Sequence, residues 1–212
     1  MNNWLRIQQS LPADVRLVAV SKYHTAEQIA EVYAAGCRDF GESRVLELKA
    51  KQAALPQDIR WHFIGHLQTN KVRDLLRLRP SLIQSVDSER LLRAINSEAE
   101  KQGIVQDVLL ELHVAREETK SGFSIDEFHQ LIANSQWPIT NVRICGLMGM
   151  ATNTDDEQEI RRCFRTLHEQ YQWLNCQLSI IHCQLSMGMS DDYLIALSEG
   201  STMVRIGSAI FD

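Results

Sequence analysis

Eight short apolar runs, separated by longer amphipathic stretches, constrain this 212-residue chain more than any other feature. The runs read as strands are Val15–Val20, Arg38–Phe40, Arg60–Ile64, Leu82–Ser85, Val108–Val114, Val142–Leu147, Leu178–Cys183 and Met203–Ile206. Strand–helix alternation implies parallel strands joined by right-handed crossovers. Eight such units in so short a chain fit a closed (β/α)8 TIM barrel with short loops. An open doubly wound sheet has the same local pattern, and only the count favours the barrel. No linker, repeat or low-complexity segment divides the sequence, so residues 1–212 are expected to form one domain.

The intervening stretches carry helix punctuation. Thr25-x-x-Gln28 and Ser124-x-x-Glu127 are capping-box patterns, in which a hydroxyl and a longer side chain satisfy backbone N–H groups reciprocally. Thr154-x-x-Glu157 has the same form. Behind these starts come apolar stripes: Ile29 and Val32; Phe128, Leu131 and Ile132; Ile160, Cys163, Phe164, Leu167 and Tyr171. Leu91, Leu92, Ile95 and Ala99 form a further stripe that ends before Gly103. Gly36 is placed to end the first of these helices in a left-handed residue.

Composition narrows the class. Lys and Arg number 22 against 27 Asp and Glu, a formal charge of -5, which argues against nucleic acid as a partner. No apolar run is long enough to cross a membrane, and the first twenty residues lack the basic start and cleavage site of a signal peptide. The five cysteines are odd in number and without CxxC spacing, which predicts reduced, mostly buried thiols and a cytoplasmic location.

Chemistry in such barrels gathers where strands end at the C-terminal face. The first strand, VRLVAVSK, delivers Lys22 there, where partial desolvation would make its amine nucleophilic. Taken alone, a solvated loop lysine is the commoner case. The seventh strand is followed by LSMGMSDDY, with Ser186 and Gly188 in a tight loop and Ser190 able to cap the next helix. The eighth is followed by Gly207 and Ser208. Loops after strands seven and eight are the usual phosphate seat of these barrels; two ordinary turns are the alternative. Arg205, inside an apolar strand, must find an acceptor if it points inward, or else a helix carboxylate. A lysine, a phosphate seat and a buried arginine are what pyridoxal 5'-phosphate (PLP) requires for its aldehyde, its tail and its ring nitrogen.

Seven motifs carry a resemblance along nearly the whole chain: VAVSK at 18–22, FGESR at 40–44, WHFIGHLQTNK at 61–71, KSGF at 120–123, GLMGMA at 146–151, LSMGMSDD at 185–192 and GSTMVRIGSAIF at 200–211. Together they resemble the pyridoxal phosphate homeostasis proteins, single-domain barrels related to the PLP-binding half of alanine racemase. The resemblance implies a Schiff base between PLP and Lys22. It implies that Ser186, with the backbone around Gly207 and Ser208, holds the phosphate, and that Arg205 meets the pyridine nitrogen. Met187, His62 and Asn70 lie in the shared motifs without a firm role. Departures are Ser43, where the family more often has asparagine, Glu111 and His113, where Gln and Asn are common, a short N-terminal helix, and an end at Asp212.

Racemisation on this barrel needs a second acid/base over the other cofactor face, supplied in alanine racemase by an additional β-domain. The chain is expected to lack a segment for that domain. The expected function is therefore reversible PLP holding, with transfer to apo-enzymes, no catalytic residue, no metal, no nucleic acid or membrane partner, and a monomer. The competing readings are a weak racemase-like enzyme, a cofactor-free Schiff-base aldolase using Lys22, and a protein-binding module of cofactor delivery. His62 and His66, and His182 with Cys183, read as hydrogen-bonded rather than metal-bound side chains, the latter pair pointing to opposite faces of a strand. Lys71, Arg73, Arg77 and Arg79 read as a solvated helix face.

Overall fold

A computed structural model describes residues 3–117, 119–134 and 139–211, so the chain end at Asp212 lies outside the described residues. Eight parallel strands close into one barrel in chain order: β1 (Arg16–Val20), β2 (Asp39–Glu42), β3 (Arg60–Phe63), β4 (Leu82–Val86), β5 (Gln106–Leu112), β6 (Val142–Gly149), β7 (Gln184–Ser186) and β8 (Met203–Ile206). Closure is direct, because β8 pairs back onto β1 with Arg16 opposite Met203 and Ala19 opposite Ile206. The barrel reading is thus the correct one, and the open sheet is not.

The helices that surround it are α1 (Asn3–Ser10), α2 (Ala26–Ala34), α3 (Val45–Ala54), α4 (Val72–Arg77), α5 (Glu89–Lys101), α6 (Ile125–Ala133), α7 (Glu157–Leu178), α8 (Tyr193–Ser198) and α9 (Ser208–Phe211). Both halves of the capping box form at Thr25/Gln28 before α2 and at Ser124/Glu127 before α6. The stripes face the sheet: Ile29, Leu92, Ile95, Phe128, Cys163, Phe164 and Leu167 are completely buried. Outward-facing strand residues such as Phe40 and Phe63 meet them in one continuous core between sheet and helices. Each such side chain contributes about 1.5–3 kcal/mol by leaving water. A smaller, separate cluster of Val18, Leu82, Leu109, Cys145, Met148 and Met203 lies inside the barrel. Lys71, Arg73, Arg77 and Arg79 are exposed along and beside α4.

Three expectations are corrected. The segment Leu178–Cys183 is not a strand. The stripe of α7 continues through the buried Leu174 to Leu178, and the helix then stops at a left-handed Ser179 (φ 48°). His182 is also left-handed (φ 59°), Ile181 is 85% exposed, and neither His182 nor Cys183 belongs to a strand. The true β7 is the three residues that follow. An apolar run after a helix looks the same whether it ends that helix or starts a strand. Secondly, Asp156 caps α7, its carboxylate accepting from the Gln158 and Glu159 N–H groups, so Thr154 lies too early to cap it. Thirdly, Ser190 does not cap α8. Asp192 holds that position, and its carboxylate accepts from the Met189 N–H at 2.6 Å.

The cysteines are all free; Cys37, Cys145 and Cys163 are buried, Cys183 is half-buried and Cys176 is exposed. No helix among the described residues is long and apolar enough to cross a membrane.

Candidate functional site

The residues singled out from the sequence follow or close the C-terminal ends of three neighbouring strands, β1, β7 and β8. β1 ends against a buried polar clamp. The Ser21 N–H donates to Gly41 O (3.0 Å), and its hydroxyl donates to Glu42 Oε1 (2.5 Å). Lys51, reaching in from α3, donates from Nζ to Glu42 Oε1 (2.7 Å) and to Ser21 O (2.8 Å). The backbone is therefore held rigidly one residue before Lys22. Lys22 itself is exposed, in contrast to the desolvated amine expected from its position, and its Nζ lies 5.9 Å from the centroid of the Tyr23 ring. Tyr23 is a non-glycine residue at φ 69°, a strained backbone of the kind found at functional sites. The next residue, His24, stacks on Phe211 with ring centroids 4.1 Å apart, which ties this loop to α9.

The loops after β7 and β8 meet at a pair of hydroxyls. Ser208 Oγ donates to Ser190 Oγ at 3.0 Å. Gly188 makes the first loop possible. It sits at φ +98°, and a Cβ there would lie 2.6 Å from the Ala196 side chain. Its carbonyl accepts from the Arg205 N–H at 3.0 Å. Gly207 passes close to β1, where a Cβ would meet Val20 at 3.3 Å. Phosphate-binding loops demand this kind of close backbone approach.

Arg205 points inward, not toward a helix carboxylate. Its NH1 donates to Ser186 O (2.9 Å) and Ser186 Oγ (2.6 Å), and its NH2 to Gly149 O (3.1 Å). Burial lowers its pKa to about 10, against the opposing pull of Glu111 and Asp192. Ser186, expected to grip a phosphate, is instead fully buried, and its hydroxyl is committed to Arg205 and to Gln84 Oε1 (2.7 Å). Met187 is likewise buried in the core, with its N–H on Met203 O. These two residues lie beneath the mouth rather than in it.

The polar contacts continue downward. Gln84 Nε2 meets His62 Nδ1 at 2.9 Å, and His62 Nε2 meets Asp39 Oδ1 at 3.0 Å. Arg60 closes the row with two bonds to Asp39. Burial would raise the Asp39 carboxyl, but the bonds from Arg60 and His62 outweigh it and hold the group well below the usual carboxylate range. Burial keeps His62 below its ordinary value, outweighing the opposing Asp39 carboxylate. On the opposite side of the mouth, Glu111 is buried and accepts from Ser121 Oγ at 3.0 Å; burial raises its pKa. Lys120 of the same loop donates to Ala151 O, closing the loop over β6.

Sequence reasoning overlooked Gln84, Asp39, Glu42 and Lys51, and gave Ser190 to a helix cap. A signal existed for Gln84 and Asp39: each is a polar residue within or beside a short apolar strand and must find a partner if buried. Lys51 lies on an amphipathic helix, where nothing separates it from a solvated lysine.

The alanine racemase N-terminal domain family matches residues 1–212. A pyridoxal phosphate homeostasis protein of Aquifex aeolicus is 40% identical over 197 residues, which are 92% of this chain and 86% of that protein. PipY of Synechococcus elongatus, solved without PLP, superposes with a TM-score of 0.90 at 35% identity, covering 99% of this chain and 98% of that one. The same protein with PLP bound superposes at 0.87 and 34% identity, with the same coverage. A barrel shared from end to end, at this level of identity, places the chain in the pyridoxal phosphate homeostasis protein family.

Proposed function

We propose that this chain binds PLP at the C-terminal mouth of its barrel, as a Schiff base on Lys22, and holds the cofactor for PLP homeostasis without turning substrates over. One observation carries the reading: an exposed amine after β1, a buried guanidinium on β8 and a hydroxyl pair joining the loops after β7 and β8 converge in a barrel closely similar to PLP-bound PipY. Those groups fit an aldehyde, a pyridine nitrogen and a phosphate, respectively. When bound, PLP supplies a reactive aldehyde and an electron-withdrawing ring.

In this reading Lys22 Nζ joins the aldehyde carbon with loss of water. Gly207, Ser208 and Ser190 line the phosphate end. Arg205 faces the ring nitrogen, where a cation keeps that nitrogen unprotonated and weakens the ring as an electron sink. Ser186 and Met187 support Arg205 and the loop from below. The protein acts in the cytoplasm, as a monomer, buffering a reactive aldehyde and passing it to apo-enzymes. A second reading, weak racemase-like turnover, is favoured by Glu111, a buried carboxyl with a raised pKa in the mouth.

The test is an absorption spectrum with added PLP, before and after borohydride, followed by peptide mapping. A yellow complex reduced onto Lys22 and lost in Lys22→Ala is expected. Absence of the band, or label scattered over surface lysines, sinks the proposal and brings forward the cofactor-free aldolase. Turnover of D- or L-amino acids that disappears in both Lys22→Ala and Glu111→Gln would establish the second reading.

A further inference from the structure

The row of contacts beneath Arg205 is a single directed chain of hydrogen bonds. The Asp39 carboxylate only accepts, so His62 must donate to it from Nε2. Gln84 Nε2 also donates to the Met203 sulfur at 3.3 Å, and its Oε1 faces the Ser186 hydroxyl. Its NH2 therefore donates to His62 Nδ1, which must accept. A guanidinium only donates, so Ser186 Oγ accepts from Arg205 and sends its own proton to Gln84. Every bond thus points from Arg205 toward Asp39. The opposite amide orientation would require a second proton on His62, which its complete burial opposes.

The chain also crosses the barrel. β4 and β7 are not neighbours in the sheet, so the Ser186–Gln84 bond spans the lumen. It links a buried cation under the mouth to a buried anion near the opposite end, where Asp39 stands at the first residue of β2. Arg205 accordingly meets only carbonyl and hydroxyl oxygens in its hydrogen bonds, rather than a carboxylate. Glu111 and Asp192 act on its charge through space without accepting one of these bonds, while Asp39, at the far end of the chain, is held by Arg60. Aligned dipoles in a low-dielectric interior strengthen one another, so the chain acts as a unit.

We infer that His62 and Gln84 are positioning residues: they hold the Ser186 hydroxyl as an acceptor for Arg205 and so fix the guanidinium that meets the cofactor ring nitrogen. The inference rests on the PLP-binding reading given above. Neither residue touches the mouth. They act through Ser186, and the floor pair Asp39–Arg60 is part of the same device.

The experiment compares wild type, Gln84→Leu, His62→Leu and His62→Gln. PLP affinity is read from the absorption band, and the ring-nitrogen resonance from 15N-labelled PLP. Gln84→Leu and His62→Leu are expected to weaken PLP binding about tenfold and to shift the ring-nitrogen resonance. His62→Gln, whose amide can accept at one end and donate at the other, restores both to near wild type. Should the leucine variants fail to fold, Gln84→Glu keeps the size but, as a carboxylate, cannot donate to Nδ1. The 15N spectrum of His62, taken without PLP, then shows imidazolium in that variant and the Nε2-protonated neutral ring in wild type. An Nδ1-protonated ring in wild type overturns the inference, as does unaltered affinity and ring-nitrogen resonance in the folded variants. If wild type itself forms no complex on Lys22, the functional reading fails first, and the His62 tautomer still judges the chain on its own.

Discussion

Between sheet and helices, Phe40, Phe63, Phe128 and Phe164 are fully buried among other apolar side chains, whereas inside the barrel a polar row from Asp39 to Arg205 runs beside a small apolar cluster that includes Val18, Leu109 and Met203. The outer layer is held by area removed from water, which is non-directional and tolerant of exchange. The lumen is held by donor and acceptor matching, where one wrong partner leaves a buried group unsatisfied. Apolar packing and directed polar contacts thus fall on different faces of the same strands. Alternate residues of a strand point to opposite sides, so Phe40 serves one layer and Asp39 the other.

The strongest way to break this division is in the outer layer. Phe164→Ala is expected to cost about 3–5 kcal/mol in urea unfolding, yet to leave the PLP absorption band and affinity unchanged. A large loss of PLP affinity in that variant, under conditions where it is folded, would dissolve the distinction.

A change in the lumen should show itself through pH. His62 has its folded-state pKa lowered by burial, so the unfolded chain takes up a proton first as pH falls. Wild type should therefore be fully stabilised above the ordinary value of 6.5 and lose stability as pH drops from there toward the depressed folded value. His62→Gln should be flatter in that window by about 1–2 kcal/mol, measured by urea unfolding at pH 7 and pH 5. Asp39 acts lower, because its folded pKa is also depressed: its contribution is present above the ordinary 3.8 and fades below it.

Smaller effects sharpen the contrast. Ser124→Ala removes one capping box from α6 and should cost about 1 kcal/mol in thermal or urea unfolding, with no change in PLP binding. Leu46→Ser, at a 78% exposed position beside neither layer, should stay within about 0.5 kcal/mol of wild type.

The same division explains what could be read from the sequence. The outer layer follows the 3.6-residue and two-residue periods, so the stripes of α2, α5, α6 and α7 and seven of the eight strands were legible, with ends shifted by up to two residues. The eighth, β7, has only three residues, too few for a period to declare itself beside the long apolar end of α7. Lys22, Arg205, Gly207 and Ser208 could be named because they follow or interrupt strands at the expected end. The lumen residues could not be assembled, because Gln84, Ser186 and Asp39 are far apart in sequence and meet only once the barrel closes. For Ser186, the motif pointed to the C-terminal end of β7, where the side chain is buried against Arg205.

β7 also has a mechanical consequence. It shares a single paired position with β8, Ser186 opposite Met203, and backbone bonds continue the seam on either side, from Thr202 N–H to Leu185 O (3.0 Å), Met187 N–H to Met203 O (3.1 Å) and Arg205 N–H to Gly188 O (3.0 Å), with the Thr202 hydroxyl accepting from Leu185 N–H at 2.7 Å. β7 is the shortest stave of this hoop, and it lies directly below the loops that carry Ser190 and Ser208. An anion gripped by both loops would rivet the joint from above. Ligand occupancy would then be felt first as slowed opening of the hoop at this point, before any gain in the stability of the whole.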